Sequence, residues 1–89
     1  MSRAILCIDD EPTILSSLKN QLQHMFGDSI DIELAQSGVD ALEIISELKE
    51  DNINLELIIS DYLMPNMNGD EFLIKSSILS PKTKNILLT

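Results

Sequence analysis

The feature that most constrains this chain is an uninterrupted apolar run that ends at a pair of aspartates. Residues 4–8 read Ala-Ile-Leu-Cys-Ile, and Asp9 and Asp10 follow at once. An apolar run without alternation is typical of a strand that is buried on both faces, as in a parallel sheet. Because the run is too short for a signal sequence or a membrane span, we predict a soluble, cytoplasmic protein with no membrane association.

Helical and strand-like patterns alternate along the rest of the chain. Pro12 suits the first turn of a helix. The apolar residues that follow it recur at helical spacing and are predicted to face the core: Leu15, Leu18, Leu22 and Met25. Further strands are predicted at 30–34, 55–60 and 85–89, and further helices at 41–48 and 70–79. This alternation predicts one α/β domain with a doubly wound parallel sheet, which would bind ligands at the carboxyl ends of its strands.

Acidic residues stand at the ends of two predicted strands. Asp9 and Asp10 follow the first strand, and Asp61 follows the third. If those strands are neighbours, three carboxylates meet at one edge of the sheet and repel one another unless a cation lies among them. Hard oxygen ligands with room for water suit Mg²⁺. Each aspartate alone is also an ordinary turn or helix-cap residue, so only their joint placement predicts a metal site.

The net charge of −9, from 15 acidic and 6 basic residues, bears on the partners of the chain. An acidic surface repels phosphates, so we predict no direct binding to nucleic acid. The single cysteine, Cys7, excludes an internal disulfide and fits a reducing compartment. We predict that Cys7 is a buried apolar residue of the core.

Three stretches of the chain resemble response regulator receiver domains. Residues 58–69, Ile-Ile-Ser-Asp-Tyr-Leu-Met-Pro-Asn-Met-Asn-Gly, are similar to the phospho-acceptor strand and loop of that family. Residues 8–12 resemble the acidic end of its first strand, and residues 87–89 resemble the end of its fourth. The resemblance covers residues 1–89 and implies a flavodoxin-like receiver fold with strand order 2-1-3-4. The family's fifth strand and last two helices are missing, so the domain is predicted to be incomplete at its C-terminus.

The resemblance also implies a chemistry for the acidic edge. Asp61 would accept a phosphoryl group from a phosphohistidine on a sensor histidine kinase or phosphotransfer protein. The resemblance further implies that Mg²⁺ is bound by Asp10, Asp61 and the backbone carbonyl of Leu63, and by Asp9 through water. Thr89 would contact the phosphoryl group and signal its arrival. The loop would be shaped by Pro65 and Gly69.

Three functions are consistent with these residues. The first is a phospho-accepting receiver, which catalyses only its own phosphorylation and dephosphorylation and is not a turnover enzyme. The alternative is a dimerisation or docking module that works without phosphorylation, which the absence of the family's fifth-strand lysine favours. A phosphohydrolase with an aspartate nucleophile ranks below both, because Leu63 stands where such enzymes need a second carboxyl group.

The fourth predicted strand would expose apolar side chains and unpaired backbone groups at the edge of the sheet. We therefore expect this edge to be covered. The missing part could lie in a longer chain that also carries an output domain. Alternatively, a homodimer or a swapped oligomer would cover the same edge.

Overall fold

A computed structural model describes residues 2–61 and 69–88 of the 89-residue chain. Within these ranges, four strands and three α-helices alternate as predicted. A short 3-10 turn, Gly27–Ser29, follows the first helix. The elements in chain order are β1 (Arg3–Ile8), α1 (Pro12–Phe26), β2 (Asp31–Ala35), α2 (Gly38–Glu50), β3 (Asn54–Asp61), α3 (Gly69–Leu79) and β4 (Lys84–Leu88).

The four strands form one sheet in the order β2-β1-β3-β4. All three pairs are parallel, so the carboxyl ends of the strands meet at one edge. This confirms the predicted α/β, doubly wound sheet with strand order 2-1-3-4. The second strand lies at the outside of this sheet, where its alternation of apolar and polar residues is favourable.

The core consists of two apolar layers, one on each face of the sheet. Because successive side chains of a strand point to opposite faces, β1 contributes to both layers. The layer that includes buried residues of α2 and α3 contains Ala4, Leu6, Ile8, Ala35, Ala41, Ile45, Leu48, Leu55, Ile58 and Phe72. The layer that includes Leu15 of α1 contains Ile5, Cys7, Leu15, Ile30 and Ile32. Cys7 is fully buried, as predicted.

The prediction that four residues of α1 face the core was wrong for one of them. Leu15 is buried and Leu18 and Leu22 pack partly buried against the same layer, but Met25 is 70% exposed. Since a helix turns by about 100° per residue, Met25 lies about 80° around the helix axis from Leu15. Met25 also lies in the last turn of α1, which ends at Phe26. Helical spacing alone therefore extended the apolar face one turn too far.

The ends of the helices follow local chemistry. Pro12 occupies the first turn of α1, and Gly27, with a φ of 60°, ends that helix. The N-cap of α2 is Ser37, whose hydroxyl oxygen accepts a hydrogen bond from the backbone N–H of Asp40 at 3.1 Å. Asn52 leaves α2 with a φ of 57°, a conformation that asparagine tolerates better than most residues. None of the helices within the described ranges is long and apolar enough to cross a membrane.

Candidate functional site

The parallel register brings the acidic residues to one edge of the sheet. Ile8 of β1 is paired with Ser60 of β3, so Asp9 and Asp61 each follow one residue beyond this matched pair. The backbone N–H of Asp9 donates to the carbonyl oxygen of Ala35 at 3.1 Å, which continues the hydrogen-bonding pattern between β1 and β2. Asp9 is therefore held in line with the strands. Asp9 and Asp61 thus stand on adjacent strands at the carboxyl edge.

The two adjacent aspartates of the first loop have different surroundings. Asp9 is only 4% exposed, whereas Asp10 is exposed to solvent. The Oδ1 atom of Asp9 accepts a hydrogen bond from the backbone N–H of Glu11 at 2.9 Å. This bond holds the turn that leads from β1 into Pro12 and α1. Asp9 thus combines a structural contact with a carboxylate at the edge, and Asp10 presents a carboxylate to solvent.

The donor atoms at this edge fit a hard divalent cation. Asp9 and Asp10 supply carboxylate oxygens, the ligand type that Mg²⁺ prefers. A carboxylate as buried as that of Asp9 is costly unless it is hydrogen-bonded or bound to a metal. No three acidic, histidine or cysteine side chains are grouped to hold a metal ion in the part of the chain that the structure describes. The side chain of Asp61, the third predicted carboxylate, is outside that part.

Several predicted site residues fall on other positions that the structure does not describe. Leu63, Pro65 and Thr89, predicted respectively to bind Mg²⁺, to shape the loop and to contact the phosphoryl group, all lie outside the described residues. Gly69, predicted to shape the loop, is the first residue of α3.

Ser60 is a residue of this edge that the sequence analysis did not single out. It is fully buried, and its hydroxyl has no hydrogen-bond partner among residues 2–61 and 69–88. It directly precedes Asp61, and it alternates with Ile58, which belongs to the layer that contains Phe72 of α3. This two-residue alternation is the signal that could have predicted its burial. Its hydroxyl therefore lies on the face of the sheet that carries α2 and α3.

Cys7 precedes the acidic edge in β1 but does not contribute a reactive group. Burial raises the pKa of its thiol from 9.0 to about 11. The thiol is therefore neutral at physiological pH, and a neutral thiol is a poor nucleophile.

Comparison with known proteins identifies the architecture just described. The model of the family "Response regulator receiver domain" matches residues 5–89. The chain belongs to that family. This confirms the resemblance inferred from residues 8–12, 58–69 and 87–89 of the sequence. No curated protein matches the chain.

Solved receiver domains share the fold of this chain. A response regulator receiver domain protein from Clostridium thermocellum is 30% identical, with a TM-score of 0.80, over 100% of this chain and 65% of that one. The signal receiver domain of an HD domain-containing protein from Pseudomonas fluorescens Pf-5 is 26% identical, with a TM-score of 0.82 and the same coverage of both chains. Vibrio cholerae chemotaxis protein CheY4 is 26% identical, with a TM-score of 0.73, over 98% of this chain and 68% of that one.

Membership sets the general function of the chain. It is the receiver domain of a two-component response regulator, a class of domain that interacts with histidine kinases or phosphotransfer proteins and is generally not a turnover enzyme. Receiver domains as a family use Mg²⁺, in agreement with the oxygen donors at the acidic edge. The chain spans 65% of the length of the Clostridium thermocellum and Pseudomonas fluorescens structures.

Proposed function

We propose that this receiver domain accepts a phosphoryl group on Asp61 from a phosphohistidine of a sensor histidine kinase or phosphotransfer protein. The observation that carries the proposal is the register of β1 and β3. It sets the backbone of Asp61 beside that of Asp9 at the carboxyl edge of a parallel sheet, the usual ligand-binding position in this class of fold. Family membership supports the same chemistry.

The proposed step is a single displacement at phosphorus. A carboxylate oxygen of Asp61 attacks the phosphorus atom, an O–P bond forms and the N–P bond of the phosphohistidine breaks. The electron pair of the broken bond stays on the imidazole nitrogen, which then takes up a proton. Hydrolysis of the resulting acyl phosphate by water would restore the Asp61 carboxylate and release inorganic phosphate. Neither step makes the domain a turnover enzyme.

Mg²⁺ is the cofactor in this proposal. It would be held by the carboxylates of Asp10 and Asp61 and the backbone carbonyl of Leu63, with Asp9 acting through water. When bound, it supplies positive charge that offsets the repulsion between the acidic edge and the incoming phosphoryl group. The burial of Asp9 and its bond to the Glu11 N–H support this arrangement, because they keep the loop that carries Asp10 in place.

The remaining predicted residues complete the site. Thr89, the residue after β4, would contact a phosphoryl oxygen, since β4 is the neighbour of β3. Pro65 and Gly69 would shape the loop between β3 and α3. A cytoplasmic location belongs to the same proposal, because a reducing compartment suits the free thiol of Cys7.

We also propose that residues 1–89 form one receiver domain that is incomplete at its C-terminus. The share of the solved receiver structures that the chain spans supports this view. The rest of the fold and an output domain would then lie in a longer chain.

A second candidate function is docking or dimerisation without phosphorylation. Exposed apolar side chains on α3 and β4 favour it: Ile74 is 67% exposed, Ile78 is 77% exposed and Ile86 is 46% exposed. β4 is also an outer strand of the sheet formed by the described residues. A homodimer or swapped oligomer that covered this side of the molecule would bury these side chains whether or not Asp61 reacts.

The mass of the intact protein tests the first proposal. The protein would be incubated with Mg²⁺ and acetyl phosphate, with the Asp61→Asn and Asp31→Asn variants in parallel. Asp31 is an exposed aspartate at the start of β2, so its variant makes the same chemical change away from the site. We expect one added phosphoryl group on the parent and on Asp31→Asn, and none on Asp61→Asn.

Two other outcomes would contradict the proposal. Equal labelling of the Asp61→Asn variant would show that another residue is the acceptor. No labelling of the parent, together with self-association that is the same in Asp61→Asn, would favour the docking module instead.

A further inference from the structure

A separate surface lies on the opposite side of the sheet from β4, beside the outer strand β2. A cleft of about 520 Å³ opens there between α1 and α2, at the carboxyl end of β2. Its deeper lining is apolar and includes Leu15, Leu34 and Ile44, which are buried or half-buried. A cleft of this size holds several side chains of a bound partner.

The rim of the cleft is acidic. Asp40, Glu43 and Glu47 follow one another at spacings of three and four residues on α2, so they lie along one face of the helix, and all three are exposed. None of the described residues that line the cleft is basic. Neither of the ion pairs found among residues 2–61 and 69–88 involves these carboxylates. The rim therefore presents negative charge that a cationic partner would neutralise.

The backbone of β2 offers a second type of contact. The carbonyl oxygen of Ala35 accepts a hydrogen bond from Asp9 of the next loop, so the backbone groups of Ala35 point towards β1. Backbone groups of consecutive strand residues point to opposite edges, and those of Leu34 therefore point away from β1 towards the cleft. β2 pairs with β1 alone in the sheet of the described residues. An extended peptide can add to such an edge as a further strand.

We propose that this cleft binds an extended, basic segment of another protein, which pairs with β2 at Leu34 and places lysine or arginine side chains on the carboxylates of α2. Alternate side chains of such a segment would enter the apolar lining. Charge selects this occupant over two others. A second copy of the chain carries the same net charge of −9, and nucleic acid carries phosphates, so the acidic rim repels both.

A labelled peptide tests the proposal directly. The probe is a fluorescein-labelled hexapeptide of alternating lysine and valine, and its control has glutamate in place of lysine. Fluorescence anisotropy with the 89-residue chain would give the affinity of each. We expect binding of the lysine peptide only, weakened by added salt. Backbone amide exchange, followed by NMR, should slow at Leu34 when the lysine peptide is bound.

Paired variants separate the cleft from the general charge of the surface. The double variant Glu43→Gln and Glu47→Gln should weaken binding about fivefold, as expected for the loss of two exposed ion pairs. The matched double variant Asp28→Asn and Glu50→Gln removes the same charge at exposed positions outside the cleft and should bind like the parent.

Five outcomes would overturn the proposal. The peptides could bind equally, or neither could bind. The two double variants could weaken binding by the same factor, which would indicate attraction to net charge alone. Protection from exchange could appear in β4 instead of at Leu34. Self-association of the chain that slows amide exchange at Leu34 without peptide would show that a second copy of the chain pairs with β2.

Discussion

Replacing Asp9 with asparagine tests whether the acidic edge of the sheet is a metal site. The substitution removes one negative charge and keeps a side-chain oxygen in the position that accepts the Glu11 N–H. The turn into α1 should therefore survive. The change isolates the electrostatic role of Asp9 from its structural role.

The size of the effect follows from the register of the strands. Asp9 and Asp61 follow a matched pair on adjacent strands, and neighbouring strands lie about 5 Å apart. Two unit charges at that separation repel by about 3 kcal/mol at an effective dielectric constant of about 20. Solvent at the edge reduces this value, so we expect Asp9→Asn to raise the free energy of unfolding by about 1–2 kcal/mol in metal-free buffer.

Added Mg²⁺ should act in the opposite direction. A cation that binds only the folded state stabilises the parent by about 1.4 kcal/mol at ten times its dissociation constant. The Asp9→Asn variant should gain less than half of that increment, because it has lost one of the carboxylates that attract the ion. The measurement is urea unfolding of both proteins with EDTA and with MgCl₂.

The same measurements on Asp31→Asn provide the control, since Asp31 is exposed at the start of β2, away from the carboxyl ends of the strands. It should respond to Mg²⁺ like the parent. The reasoning would be refuted if Asp9→Asn lost stability in EDTA and gained as much from Mg²⁺ as the parent. Asp9 would then be a turn residue only.

Three further predictions concern the fold. Phe72→Ala should lower the free energy of unfolding, measured in urea, by about 3–5 kcal/mol, because Phe72 is fully buried. The control Ile78→Ala, at a position that is 77% exposed, should lower it by less than about 1 kcal/mol. Ser37→Ala should cost about 1 kcal/mol in the same assay, because it removes the cap on the Asp40 N–H, and an unchanged midpoint would show that the cap is not needed. The thiol of Cys7 has a higher pKa in the folded state than in the unfolded state, so the unfolded thiol ionises first as the pH rises. The free energy of unfolding should therefore fall as the pH rises from 9.0 to about 11, and Cys7→Ala should lose this part of the pH dependence.

The arrangement of elements was readable from the sequence because each signal was local and physical. The apolar run of β1 stops at Asp9, and Pro12 and Gly27 stand at the two ends of α1. Alternation of strands and helices then left few topologies, because crossover connections between parallel strands are right-handed. The meeting of the acidic ends of β1 and β3 depended on the strand order, which the family resemblance implied and the sheet β2-β1-β3-β4 confirms.

What depended on tertiary packing was the environment of individual side chains. Met25 continues the apolar spacing of α1, yet it is exposed because of its position in the last turn and its angle around the helix axis. Ser60 is polar, yet it is buried because its position in β3 alternates with that of Ile58.

The acidic edge and the cleft show the same division. The sequence by itself determined that Asp9, Asp10 and Asp61 end two strands, since a strand end is a local feature of composition. Only the tertiary structure decided that Asp9 is buried while Asp10 is exposed, and that α1, β2 and α2 enclose an acidic cleft. The physical reason is that burial and enclosure depend on which distant segments pack against a residue, and local spacing carries no record of those neighbours.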